Sequence, residues 1–104
     1  MGYYLFLVTV PNINEGQKIA RNLVESKLVA CVNIIKNISS IYRWKGEIEE
    51  DSEHLLLIKT TEEKSDLLIQ RITKIHSYKN AECIGLKIEK GSKEYLNWIK
   101  DVVD

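Results

Sequence analysis

A single proline, two cysteines, one methionine, one phenylalanine and no surplus of either charge are the first features of this 104-residue sequence, and each scarcity excludes something. The fifteen basic residues are cancelled by fifteen acidic ones. Without a basic excess there is no field to draw the chain to DNA, RNA or an anionic membrane, so neither nucleic acid nor membrane is an expected partner. Cys31 and Cys83 stand far apart in separate apolar runs. They have neither the density of a secreted disulfide scaffold nor the CxxC spacing of a zinc site, and a reducing cytoplasm is their simplest home. The apolar stretch from Met1 to Val10 carries no cationic start and no small-residue cleavage site, and Pro11 cuts it short. It reads as neither a leader nor a membrane span. A glycine-rich phosphate loop, an HExxH pattern and a nucleophile paired with a base are all missing from the sequence, so no catalytic activity is expected.

What is present fits one domain over residues 1–104. Tyr3 to Val10, rich in β-branched and aromatic residues, predicts a strand. Ile19, Ala20, Leu23 and Val24 recur at helical spacing between Glu15 and Lys27, with Asn14 and Gln17 placed as a capping box. Leu28 to Ile35 begins a second strand that continues through Tyr42 and Trp44 to a reversal at Lys45-Gly46. The chain returns through acidic Glu47 to Asp51 and the leucine run Leu55 to Ile58, ending at Lys59-Thr60, which makes a long hairpin. Thr60 or Thr61 is placed to cap a helix with Leu67, Leu68, Ile72 and Ile75 as its stripe, ending near His76. Glu82 to Ile88 predicts a fourth strand, and Ser92 opens a last helix that turns Tyr95, Leu96, Ile99, Val102 and Val103 inward.

Two crossover units in series, in the order β-α-β-β-α-β-α, predict an α+β fold: a ferredoxin-like antiparallel sheet with the first and third strands central. One face of such a sheet ordinarily meets water and alternates apolar with polar residues. Here Tyr3, Leu5, Leu7 and Thr9 lie on one face of the first strand, and Tyr4, Phe6, Val8 and Val10 on the other. Both sides ask for burial, and another copy of the same sheet is the economical cover. Tyr42 and Trp44, on one face of the hairpin arm, suit a neighbour's surface.

Among candidate site residues Lys59 stands out, because an ammonium at the end of a central strand needs a partner or a wet cleft. Glu82 is its expected partner, with His76 and Tyr78 gathered nearby to hold a small anion, a polar metabolite or a metal. Cys31, Cys83, His54 and His76 are the soft donors that would suit copper or zinc, although a cysteine in an apolar strand is usually a core residue. His54, among acidic residues, reads equally as a solvated loop histidine.

Larger blocks are also distinctive: Ala30-Cys31-Val32-Asn33, Tyr42-Arg43-Trp44-Lys45-Gly46, Leu55-Leu56-Leu57-Ile58-Lys59-Thr60 and Tyr95-Leu96-Asn97-Trp98-Ile99, in that order. By these the chain resembles the CutA family of divalent-cation tolerance proteins over nearly its whole length. The resemblance implies a cytoplasmic, PII-like homotrimer that acts in tolerance of copper and other divalent metals, with any metal bound weakly. It also implies a cleft between subunits, to which Cys31, Trp44, Lys59, His76, Tyr78 and Glu82 contribute. The family's HPYE segment is here His76-Ser77-Tyr78-Lys79, and Ala81 replaces the proline before the glutamate. Of the copper ligands proposed in relatives, Val8 stands at the cysteine position and Ile75 at the first histidine, which leaves His76 as the metal candidate. The alternative expectation is a PII-like binding module that takes a small molecule between subunits.

Overall fold

A computed structural model describes residues 2–103. Met1 and Asp104, at the limits of the expected domain, lie outside the described residues. The elements run β1 (Tyr3–Val10), α1 (Ile13–Glu25), β2 (Cys31–Trp44), β3 (Glu47–Thr61), a 3-10 turn (Glu62–Lys64), α2 (Ser65–Ile75), β4 (Ile84–Lys87) and α3 (Lys93–Val102). The four strands form one antiparallel sheet in the order β2-β3-β1-β4. The two most apolar runs, β1 and the 55–60 part of β3, are therefore central, as their composition predicts.

Phe6, Val8 and Val10 of β1 and Leu56 and Ile58 of β3 point to one side and pack with Ile19, Leu23, Leu68 and Ile72 of the first two helices. This is the main core. The ring of Phe6 lies over its cross-strand partner Gly85, where an added Cβ would come within 2.7 Å of the ring carbon Cζ. A side chain at 85 would displace a fully packed aromatic.

Local chemistry shifts several expected boundaries. The first helix begins earlier, because the extended residue that stops it is Asn12, not Asn14, and its Oδ1 accepts the Glu15 amide at 2.8 Å. Its far end is a Schellman turn: Leu28 N–H donates to Leu23 O and Lys27 N–H to Val24 O, with Lys27 in the left-handed region at φ 61°. The run Leu28 to Ala30 is thus consumed by this turn, and β2 starts at Cys31. Neither threonine caps α2. Thr60 instead donates its hydroxyl to Leu28 O at 2.7 Å, β3 runs on to Thr61, and the 3-10 turn intervenes. Leu67, expected in the stripe of α2, is 50% exposed, while Leu68 and Ile72 carry the packing. In α3 only Ile99 of the expected inward set is fully buried; Tyr95 and Val102 are exposed.

Candidate functional site

The side of the sheet away from α1 and α2 is built by alternation. Partners across an antiparallel ladder point the same way, so Cys31, Asn33 and Ile35 of β2 share a face with Lys59, Leu57 and Leu55 of β3. The same face receives Leu5 and Leu7 of β1 and Ile84 and Leu86 of β4. Helix α3 covers part of it, packing on β3 and bringing Tyr95 Oη to 3.6 Å from Cys31 Sγ. The remainder is open: Ile84 is 53% exposed and Leu86 50%.

A bulge extends this face along the arm. Between Ile35 and Ile38, β2 takes one residue more than β3 does between Leu55 and Glu53. Asn37 adopts φ 60°, and its amide donates to His54 Nδ1 at 3.1 Å. His54 is accordingly a strand residue that pins the bulge, not a loop histidine. The extra residue reverses the side on which every later residue of β2 stands. Ile38, Tyr42 and Trp44, opposite Glu53, Glu49 and Glu47, thereby continue the face of Cys31 and Asn33.

The six candidate residues do not form one cluster within the chain. Lys59 and Cys31 are direct cross-strand partners, and Lys59 Nζ donates to Asn33 Oδ1. The expected pairing of Lys59 with Glu82 does not form. Strand β1 lies between β3 and β4, Leu5 faces Lys59 on one side and Leu86 on the other, and Glu82 precedes the start of β4 altogether. Fourth-strand pairing is shorter than expected, and Glu82 is an exposed loop residue. Trp44 sits at the arm tip with Lys45 Nζ 5.8 Å from its ring centroid. Among the described residues neither Trp44 nor Glu82 bonds to the other four candidates.

His76 and Tyr78 belong to a second cluster around the end of β1. His76, at the C-cap of α2, is 7% exposed, and its Nε2 lies 2.7 Å from Thr9 O. A carbonyl only accepts, so Nε2 carries the proton; Nδ1 then accepts the Tyr78 amide at 2.9 Å. Glu15 Oε2 takes the Ser77 amide at 2.9 Å and stands 3.4 Å from His76 Nδ1. Tyr78 Oη donates to Glu53 Oε2 at 2.9 Å. Burial first, then this bond, pushes the Tyr78 phenol well above its ordinary range. Nearby, Tyr42 donates to Asp51, which chiefly raises its phenol to about 12.

Sequence reasoning named Cys31, Lys59, His76 and Tyr78 as candidates and did not name as site residues Asn33, Tyr95, Glu15 and Glu53, which the structure places beside them. Asn33 sits two places from Cys31, so it falls on the same face by alternation alone. That was the available signal. Nothing local marks Glu15 or Glu53, whose partners lie 62 and 25 residues away. No three His, Cys, Asp or Glu side chains among the described residues are grouped so as to hold a metal ion. No described helix is long and apolar enough to cross a membrane.

The sequence profile of the CutA1 divalent ion tolerance protein family matches residues 4–102. A CutA protein homolog of Xenopus laevis is 50% identical over 92% of this chain, which spans 64% of the length of that relative. The divalent-cation tolerance protein CutA of Thermus thermophilus is 45% identical, with 91% of this chain and 92% of that protein aligned. The crystal structure of CutA1 from Oryza sativa superposes with a TM-score of 0.97 at 38% identity, covering 100% of this chain and 95% of that one.

Proposed function

The chain belongs to the CutA1 divalent ion tolerance family, and from that premise we propose that it works as a cytoplasmic, PII-like homotrimer of single ferredoxin-like domains in the tolerance of divalent metal ions such as copper, with no catalytic step. The observation that carries the assembly is the uncovered apolar face. Each large side chain left there forgoes about 1.5 to 3 kcal/mol of burial, and Ile35, Ile84 and Leu86 are all exposed beside half-buried leucines. The bulge adds Tyr42 and Trp44 to the same surface, beside Glu49 and Glu47, so a sister copy would meet these aromatics beyond the apolar patch. Light scattering on a size-exclusion column tests this: the mass of three chains is expected, and the mass of one chain overturns it.

The metal response is proposed to be weak or indirect, through the exposed carboxylates Glu47, Glu49 and Asp51 of the arm. Both ring nitrogens of His76 are already bonded within the chain, which supports this over ligation at His76. Calorimetric titration with copper and zinc separates the two. Stoichiometric uptake that is lost in His76→Ala would assign the metal to the histidine.

A second reading is favoured by Lys59. Its described partner is a neutral carboxamide on an apolar face, which suits a binding module holding a small molecule between copies. Cys31 and Tyr95, beside it, would border that site.

A further inference from the structure

We propose that Lys59, Asn33 and Tyr95 form a binding site for a small carboxylate anion on the uncovered face of the sheet. This deepens the second reading above and rests on it. An ammonium has three hydrogens to donate, and Asn33 Oδ1 takes one of them. With its oxygen so used, the Asn33 carboxamide keeps its NH2 as a free donor. The Tyr95 hydroxyl stands beside Cys31, the direct cross-strand partner of Lys59, so it lies within the same patch. Either atom can donate in that contact, and with the Cys31 thiol donating to its oxygen the Tyr95 hydroxyl has its hydrogen free. The patch is therefore rich in donors and carries one positive charge.

What it lacks is an acceptor of opposite sign. The carboxylate beside a basic side chain among the described residues, Glu15 at His76 Nδ1, belongs to the other cluster. The immediate neighbours of Lys59 on its face, Leu5, Leu57 and Cys31, offer none. Once sister copies cover this face, water no longer solvates the ammonium, and a buried unpaired charge is not tolerated. A carboxylate supplies two acceptor oxygens and one negative charge, enough to take the remaining Lys59 hydrogens and reach Asn33 or Tyr95. Phosphate is the poorer match. The patch has no arginine and no loop of backbone amides, the groups that ordinarily balance a phosphate's additional charge.

The test is calorimetric titration of the assembled protein with sodium succinate and sodium acetate at constant ionic strength, with sodium phosphate for comparison. Saturable binding of the carboxylates is expected, with phosphate weaker. Lys59→Gln, which keeps a donor for Asn33 but loses the charge, is expected to weaken succinate at least about tenfold while the light-scattering mass is unchanged. Tyr95→Phe should weaken it less. Wild-type heats no larger than the salt control, or equal binding by Lys59→Gln, would overturn the site. Absent binding together with a lower mass in Lys59→Gln would instead pair Lys59 with a carboxylate of the sister copy. A wild-type mass of one chain is a failure of the assembly alone, and the titration still decides the site.

Discussion

Tyr78 closes over Glu53 at the point where β1 ends and β3 loses its partner on that side, donating its phenolic hydrogen to Oε2 at 2.9 Å. Glu53 is only 5% exposed, so this hydroxyl stands in for the water the carboxylate has lost. Tyr78→Phe should therefore cost about 1 to 3 kcal/mol, the penalty of an unsatisfied buried acceptor. Urea unfolding of the two proteins measures it, and an unchanged midpoint would show that Glu53 finds water.

Deleting Asn37 removes the bulge residue but leaves Ile38 opposite Glu53 in unbroken alternation, so Tyr42 and Trp44 stay on the face of Cys31 and Asn33. An unchanged mass is expected on a light-scattering column, and loss of assembly would show that the bulge itself shapes the interface. Asn37→Gly, which accepts φ 60° readily, should leave the mass as it was.

Gly85→Ala places a methyl 2.7 Å from Phe6 Cζ, and the buried ring has nowhere to go. A destabilisation of about 1 to 3 kcal/mol is expected from such overpacking. Thermal unfolding reports it, and the paired change Gly85→Ala with Phe6→Leu should recover part of the loss.

Lys27 holds a left-handed conformation that costs an L-residue roughly 1 to 2 kcal/mol. Lys27→Gly relieves it, and a net gain of about 1 kcal/mol is expected after the entropy of glycine is subtracted. Lys27→Val should lower the melting temperature.

Burial, assisted by Glu82, pushes the Cys83 thiol up to about 11. The folded state thus holds this proton longer than an unfolded chain does. The stability it contributes is complete below the ordinary thiol range and is lost as pH rises through about 11. In Cys31→Ser protein, alkylation of Cys83 at pH 8 should be much slower than that of glutathione, and should accelerate only in strong alkali. Labelling at the glutathione rate would show an open thiol.

The parts of the fold that were readable in the sequence are those fixed by periodicity. Strand β1, the arm and the stripes of α1 and α2 follow from the spacing of Phe6, Val8, Leu23, Leu68 and Ile72, and the centrality of β1 and of the 55–60 part of β3 follows from a composition in which Lys59 is the one charge. Boundaries failed where two residues offer the same chemistry: Asn12 and Asn14 can each cap a helix, and only the extended backbone at Asn12 decides. The bulge was invisible because Lys36 and Asn37 look like any polar pair on a strand. The partner of Lys59 failed for a different reason. Glu82 has the right charge, but strand order interposes β1, and order is a property of the whole sheet.

The sheet is built around β1, which precedes both of its partners in the chain: Tyr4 pairs with Thr60 on one side and with Lys87 on the other. During synthesis the most apolar strand must wait for some fifty residues before β3 can dock on it, and for more than eighty before β4 closes its second edge. Long-range closure of this kind is slow. The nascent protein therefore passes through a stage in which its stickiest segment is available to any other chain, and chaperone demand should track the rate at which the last third emerges from the ribosome.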